Sequence, residues 1–273
     1  RRHTRLRTVT GVQTCALPIC QPVFAYHWQE VNQPLELYVA AGDTRSPIFK
    51  VLVRPKTGIQ TRTAEIEPPA YTKLDRQVVK DFAVLPNIVP GSRVVVKLAF
   101  NYPLASLEAG TDAGVRLAAE ATAPQAWEVA GRVLVNQAVK LAYRDTDGFA
   151  GTETFQVAVK PDEAPKIQIT EPAEGRQLIA TKDGNLDIAF TVTDDFGLGT
   201  VALYRSTPRA QNGELVQEWK EVAGLKSFTG NARLALRKFV ANEDGRLTFV
   251  IVAKDQNDVT GPGVATSRPV TVL

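Results

Sequence analysis

A pair of alternating strands joined by a short turn occurs three times along the chain, and in each copy the first strand ends at an aspartate. The copies are Leu35–Asp43 with Ile48–Pro55, Val139–Asp145 with Thr154–Pro161, and Leu247–Asp255 with Thr266–Leu273. The three aspartates follow one another at steps of 102 and 110 residues. This step is the length of one β-sandwich domain, so the pattern predicts a tandem array of such domains.

The clearest single strand covers residues 186–193, where large apolar residues alternate with small or polar ones. The residues expected to face the core are Leu186, Ile188, Phe190 and Val192. Other strands follow with turn signals about every 8–12 residues, and no convincing helical stripe interrupts them. We therefore predict an all-β chain of tandem immunoglobulin-like β-sandwich domains. The Ala-rich stretch 104–121 is the place where we expect a short helical turn.

Two joints that contain proline divide the chain, at residues 54–58 and 160–165. The expected parts are an N-terminal tail (1–20), the C-terminal part of a truncated sandwich (21–57), a complete sandwich (58–162, the central domain) and a second complete sandwich (163–273, the C-terminal domain). Three strands cannot close a sandwich, so the piece at 21–57 is expected to be marginally stable. Its expected core residues are Trp28 and Tyr38.

The composition is typical of a globular protein of two or three domains. It argues against nucleic acid and membrane as partners. The net charge is +3, and much of it comes from arginines among the first seven residues. The near-neutral remainder gives no electrostatic support for nucleic-acid binding. No apolar run reaches about 18 residues, so no membrane contact by this part of the protein is predicted. Methionine is absent, which indicates an internal piece of a longer protein.

The first twenty residues have neither the 2-residue nor the 3.6-residue apolar period of a folded element. Residues 1–19 resemble a translated sequencing adapter, and we exclude the segment from the fold prediction. A basic tail and a damaged signal segment are the alternatives. Both cysteines, Cys15 and Cys20, lie at the end of this segment, and one such pair is a weak signal for a metal site or a disulfide.

Three segments carry a resemblance to known proteins: Tyr38–Asp43, Pro68–Thr72 and Thr193–Leu198. With them the chain resembles bacterial immunoglobulin-like or fibronectin-type-III-like repeats. More narrowly, it resembles large membrane-anchored bacterial surface or periplasmic proteins of unassigned function. The resemblance implies a sandwich fold and a periplasmic or cell-surface location, and it transfers no catalytic residue. The Cys–Trp–Cys core of antibody domains is absent, which disfavours a true immunoglobulin domain.

The sequence lacks the residue combinations that common catalytic sites require. The only histidines are His3 and His27, so neither complete domain can form a Ser-His-Asp or Cys-His arrangement. Two histidines and two cysteines near the N-terminus also give no zinc site. No Gly-rich phosphate loop occurs. We therefore predict no catalytic residues, no cofactor and no enzyme activity.

Acidic clusters are the remaining candidates for a site. The residues that would supply calcium ligands are Asp194, Asp195, Asp255, Asn257 and Asp258. A further pair, Asp145 and Asp147, lies in the turn of the second hairpin. Aspartate and asparagine are common in turns because their side chains bond nearby amides, and turn chemistry is our favoured interpretation over calcium or catalysis. Tyr71, which follows two prolines, is expected to pack at a domain joint.

These observations predict a non-catalytic structural spacer or protein-interaction module of a bacterial extracytoplasmic protein. The expected partner is another protein or a component of the cell envelope. The alternative is a set of carbohydrate- or protein-binding accessory domains of a larger enzyme. That alternative would need exposed aromatic residues on one sheet, whereas Trp28, Trp127 and Trp219 lie in strands where a place in the core is expected.

Overall fold

The computed structural model describes residues 31–174, 178–207, 210–242 and 245–273. The chain divides into two units, Arg1–Lys56 and Thr57–Leu273. The predictions for residues 1–20, His27 and Trp28 concern residues outside this described part. In the part of the chain described, no helix has the length and apolar character needed to cross a membrane.

The described part of the first unit, residues 31–56, contains four short strands. They are β1 (Leu35–Leu37), β2 (Ala40–Ala41), β3 (Thr44–Arg45) and β4 (Phe49–Val51). β1 pairs with β4 and β2 pairs with β3, both antiparallel, so the predicted hairpin is confirmed. The expectation that Tyr38 belongs to a core is wrong, because its side chain is 38% exposed and has the Arg45 guanidinium over its ring at 5.3 Å. The strand stops at Leu37, so the inward–outward alternation does not extend to Tyr38.

Nine strands and one short turn build the central domain. They are β5 (Ile59–Glu67), a 3-10 turn (Ala70–Thr72), β6 (Gln77–Lys80), β7 (Val84–Ile88), β8 (Arg93–Phe100), β9 (Leu104–Thr111), β10 (Arg116–Ala123), β11 (Ala126–Arg132), β12 (Gln137–Asp145) and β13 (Ala150–Val159). They follow one continuous path, β6-β5-β8-β11-β10-β9-β12-β13-β7. β10 pairs with β11 over most of its length and with β9 only at Arg116 and Leu117. β10 therefore links the two faces of the sandwich that enclose the core.

The helical turn expected in residues 104–121 is wrong, since this stretch forms β9 and β10. Leu107, Ala109 and Thr111 are buried at every second position of β9. Burial of alternate side chains on one face of a sheet overrides the helical preference of alanine.

The stretch 78–84 is divided between the two faces of the sandwich. β6 ends at Lys80, and Asp81 adopts a positive φ of 50°. The chain then enters β7, which pairs in parallel with β13 on the opposite face. A left-handed residue inside an apolar run leaves no signal in the alternation itself, so the pattern could not reveal the switch.

The C-terminal domain packs a three-stranded sheet on a larger one. Its elements are β14 (Lys166–Glu171), β15 (Asn185–Thr193), β16 (Leu198–Thr207), β17 (Ala210–Trp219), β18 (Ser227–Ala235), a 3-10 turn (Leu236–Lys238), β19 (Leu247–Asp255), β20 (Val264–Thr266) and β21 (Val270–Val272). The smaller sheet has the order β14-β15-β18. The larger has the order β17-β16-β19-β20, with β21 also paired to β19. The all-β prediction of tandem immunoglobulin-like sandwiches is confirmed.

Phe190 lies at the centre of the C-terminal core and is fully buried. Its ring meets Trp219 edge-on, with centroids 5.0 Å apart, and Phe228 packs beside both rings. A Cβ at Gly230 would lie 2.5 Å from the Phe190 ring, so the glycine opposite makes room for it. The predicted register of residues 186–193 is confirmed, because its four large apolar residues are all buried.

Phe190→Ala is expected to lower the free energy of unfolding of the C-terminal domain by about 3–5 kcal/mol, because it removes a buried ring and leaves a cavity. Chemical denaturation followed by tryptophan fluorescence measures the change. Thr193→Ala, on the exposed face of the same strand, is the control and should change the value by less than about 0.5 kcal/mol. A cost below about 1 kcal/mol for Phe190→Ala would contradict the register.

The fragment 163–273 is expected to fold by itself, because its buried residues form a hydrophobic cluster separate from that of the central domain. A domain of about 110 residues can bury enough apolar surface to be stable. The expected result is a β-type circular dichroism spectrum, dispersed amide resonances and one cooperative melt. An undispersed spectrum would show that the domain needs the central domain to fold.

Candidate functional site at the interdomain joint

The aspartate that ends β12 organises one pole of the central domain. Asp145 is only 1% exposed. Its Oδ1 accepts hydrogen bonds from the amides of Asp147 at 3.0 Å and Phe149 at 2.9 Å, and its Oδ2 accepts one from the Thr57 hydroxyl. The expectation that this aspartate caps the amides of its own turn is confirmed. It also ties the entrance of the domain to that turn.

The equivalent aspartate at the end of β19 organises the last loop of the chain. Asp255 is buried, and its Oδ1 accepts from the amides of Asn257 at 2.9 Å and Gly263 at 3.0 Å. Asn257 is buried as well, and its Oδ1 accepts from the amides of Val259 and Thr260. Asp258 is exposed. Two of the calcium candidates, Asp255 and Asn257, thus hold the loop through the turn chemistry expected for them.

Asp194 shapes the loop that follows β15. Its Oδ2 accepts hydrogen bonds from the amides of Phe196 at 3.1 Å and Gly197 at 2.6 Å. Its backbone amide donates to the carbonyl of Lys226 at 2.9 Å. The carboxylate fixes a turn that holds the ring of Phe196 at the end of the domain.

The two sandwiches meet end to end at what we call the interdomain joint. The central domain contributes residues 69–73 and 89–91, the connecting segment is 160–165, and the C-terminal domain contributes residues 194–197, 222–226 and 255–263. Tyr71 lies against Phe196 in an edge-on contact, with ring centroids 6.1 Å apart. The Lys73 ammonium donates to the carbonyl of Gly224 at 3.3 Å. Tyr71 was expected at a domain joint, and its aromatic partner there is Phe196.

Close packing at the joint extends to the two loops beside this aromatic pair. A Cβ at Gly91 would lie 2.6 Å from Cγ1 of Val259, and one at Gly263 would lie 2.4 Å from Oδ2 of Asp255 and 3.0 Å from Cα of Ala164. No larger residue fits at Gly263 without displacing its neighbours, so the last loop, the connecting segment and the Asp255 carboxylate are in direct contact.

Four carboxylates from three segments converge on this joint: Asp162, Asp194, Asp195 and Asp255. Within the described residues, both oxygens of Asp162, Oδ1 of Asp194 and Oδ1 of Asp195 are buried without a hydrogen-bond partner, and so is the Tyr71 hydroxyl. This hydroxyl is close enough to Asp162 for each group to shift the pKa of the other, although no hydrogen bond of normal geometry joins them. Buried polar atoms left unpaired are costly.

Burial and mutual repulsion shift the ionisation of these groups. Burial, then the negative charge of Asp255, raises the pKa of Asp162 to about 6, against a smaller lowering effect of Tyr71. Burial raises the pKa of Asp194, although the Gly197 and Phe196 amides oppose it. Burial, followed by the charge of Asp162, also raises the pKa of the Tyr71 hydroxyl. The joint therefore resists carrying its full negative charge.

The acidic residues singled out in the sequence are only partly brought together. Asp194, Asp195 and Asp255 reach the joint, while Asn257 faces its own loop and Asp258 faces solvent. Among the residues that the structure describes, no group of three or more His, Cys, Asp or Glu side chains is arranged to hold a metal ion. Asp162 was not identified from the sequence. It lies in a charged, proline-bounded connecting segment, a context typical of an exposed acid, and its burial depends on docking of the second sandwich.

The described tryptophans belong to the cores rather than to a binding face. Trp127 packs on the core cluster of the central domain, and Trp219 packs on that of the C-terminal domain. Both are partly buried, as their strand positions predicted.

A family model described as a domain of unknown function (DUF4175) matches residues 45–218 of the chain. The match includes the whole central domain and the first four strands of the C-terminal domain. No curated protein matches the sequence.

Solved structures of similar fold include immunoglobulin-like and fibronectin-like arrays. The fibronectin(III)-like modules of Clostridium thermocellum CbhA are 17% identical, with 69% of this chain and 86% of that chain covered and a TM-score of 0.27. A chimeric titin Z1Z2 tandem is 12% identical, with 80% and 98% covered and a TM-score of 0.27. The ICAM-5 D1–D4 ectodomain fragment is 10% identical, with 77% and 50% covered and a TM-score of 0.32.

Gly263→Ala is expected to destabilise the chain by about 1–3 kcal/mol, because the new methyl group overlaps the Asp255 carboxylate and the connecting segment. Gly58→Ala is the matched control, since a Cβ there has no heavy atom within 4 Å. Thermal denaturation of the two variants measures the difference. Equal melting temperatures for both would show that the last loop does not pack on the connecting segment.

Proposed function

The chain belongs to the family described as a domain of unknown function (DUF4175), and we propose that its two complete sandwiches form a stiff, non-catalytic spacer. In this proposal the spacer is part of a bacterial extracytoplasmic protein, in the periplasm or at the cell surface. It holds neighbouring parts of that protein, or a protein or cell-envelope partner, at a fixed separation and orientation. The observation that carries the proposal is the packed interdomain joint.

A joint of this kind restricts both bending and rotation between the two sandwiches. The Tyr71–Phe196 contact, the Lys73–Gly224 hydrogen bond and the Gly91–Val259 contact join two segments of the central domain to three loops of the C-terminal domain. Contacts from separate loops resist rotation about any single axis. The connecting segment adds stiffness, because Pro161 and Pro165 limit its backbone freedom.

The surfaces described support a spacer better than an accessory binding domain of an enzyme. The tryptophans that could form an aromatic binding face pack on the two cores. The buried aspartates at the ends of β12 and β19 are engaged by loop amides, which leaves neither as a free carboxylate for general acid–base catalysis.

The stiffness is testable by pulsed electron spin resonance between two spin labels. Cysteines introduced at the exposed positions Lys140 and Asp187 carry the labels, with Cys15 and Cys20 replaced by serine. A stiff joint is expected to give a single narrow distance distribution. A flexible six-residue segment alone would spread the distances over about 10 Å or more.

The double substitution Tyr71→Ala and Phe196→Ala should broaden the distribution, because it removes the aromatic contact of the joint. Val78→Ala, at an exposed position of β6 outside the segments that form the joint, is the matched control and should leave the distribution unchanged. A broad distribution in the otherwise unaltered labelled protein would contradict the proposal.

A further inference from the structure

In both sandwiches an equivalent strand ends in a buried aspartate. The two differ in the side chain that the entering segment brings near this aspartate. In the central domain the entering segment presents a hydroxyl, and Thr57 donates a hydrogen bond to Asp145. In the C-terminal domain the entering segment presents the Asp162 carboxyl beside Asp255. A donor facing an acceptor is favourable, whereas two carboxylates facing each other repel unless one of them carries a proton.

We propose that the interdomain joint is a proton-binding site, in which Asp162 takes up a proton as the pH falls below neutrality and the uptake tightens the contact between the sandwiches. This proposal rests on the spacer function proposed above and adds its regulation. Protonation turns Asp162 from an acceptor into a group with one O–H donor. The joint holds buried acceptors that lack a partner among the described residues, and they include Asp194 Oδ1 and Asp195 Oδ1.

Among the described residues, both carboxyl oxygens of Asp162 are buried without a hydrogen-bond partner, and three elements bring acidic groups to the same joint. The 3-10 turn of the central domain contributes Tyr71, the loop after β15 contributes Asp194 and Asp195, and the end of β19 contributes Asp255. Each of the three aspartates raises the pKa of Asp162, and the Tyr71 hydroxyl alone lowers it. Protonation of Asp162 therefore relieves repulsion with three carboxylates that lie on two elements of the C-terminal domain.

Two lysines at the joint, Lys73 and Lys166, bind other acceptors. The Lys73 ammonium donates to the carbonyl of Gly224 at 3.3 Å. The Lys166 ammonium donates to Glu163 at 2.7 Å, and Asp195 is a minor contributor to its raised pKa. Neither lysine pairs with Asp162 in the part of the chain described, so a proton is the neutralising group that the joint can recruit.

The direction of the pH dependence follows from the raised pKa. Asp162 has a pKa of about 6 in the folded chain and about 3.9 in an unfolded one. The folded state therefore binds the proton more tightly. The stabilisation is complete below about pH 4 and is lost as the pH rises towards 6. Above about pH 6 Asp162 is ionised, and its repulsion with the other aspartates of the joint remains.

The first test compares Asp162→Asn with the unaltered chain across pH 4.5–8, in the presence of a chelator. Asparagine has nearly the same shape but no charge, and its amide supplies a permanent donor. The variant is expected to melt about 2–4 °C higher than the unaltered chain at pH 7.5. In a chain of this size, this rise in melting temperature corresponds to about 1 kcal/mol in the free energy of unfolding. The difference in melting temperature should shrink towards pH 4.5. Asp258→Asn, an exposed aspartate of the same joint, is the control and should show no such trend.

A second measurement follows the titration in the unaltered chain and uses the variant only to assign the resonance. Carbon-13 resonances of the aspartate carboxyl groups, followed against pH in the unaltered chain, should include one with a midpoint near 6, assigned to Asp162 by its loss in Asp162→Asn. A midpoint for Asp162 below about 4.5, or a melting difference that does not change with pH, would overturn the proposal. So would a calcium-induced rise in melting temperature at pH 7.5 that Asp162→Asn abolishes, because a metal ion would then be the neutralising group.

The spin-label pair at positions 140 and 187 separates this inference from the spacer function. A distribution that is narrower at pH 5 than at pH 7.5 in the unaltered chain, but independent of pH in Asp162→Asn, supports both. A narrow distribution that is the same at both pH values retains the spacer and overturns the proton-dependent tightening. A broad distribution at both pH values rejects the spacer and with it the tightening.

Discussion

A buried carboxylate at the end of a central strand is the interaction on which each sandwich depends. Asp145 and Asp255 each accept amide hydrogen bonds from the loop that follows, and this converts a flexible connection into a fixed one. The loops are the parts of a sandwich that meet its neighbours. Each carboxylate therefore sets the shape of one domain end, and the end shaped by Asp255 is the one that docks against the central domain.

Docking has an electrostatic consequence that neither domain has alone. The C-terminal domain brings Asp194, Asp195 and Asp255 to its end, where solvent would screen an isolated domain. The central domain covers this end and delivers Asp162 to it. Desolvation of several like charges raises the cost of keeping all of them ionised. The joint combines close packing with a charge arrangement that favours partial neutralisation.

The sequence predicted the sandwich fold and the register of residues 186–193 because period-two alternation is a local signal. It also predicted the turn role of Asp145, because a side chain that bonds amides two to four residues away needs only local spacing. The switch of faces at Asp81 depends on one backbone angle, and the exposed position of Tyr38 depends on where a strand stops. The site at Asp162 depends on contacts between segments far apart in the chain, and periodicity carries no information about them.

The positions of the chain ends in the central domain determine how it would bear a mechanical load. Thr57 is bound at the pole where Asp145 lies, while the Lys160 amide bonds the carbonyl of Ile88 at the opposite pole. Tension applied through the two ends therefore pulls β5 and β13 along their own lengths. Many hydrogen bonds of the β5–β8 and β13–β7 ladders would then be sheared together instead of being unzipped one by one, a geometry suited to a domain that transmits force.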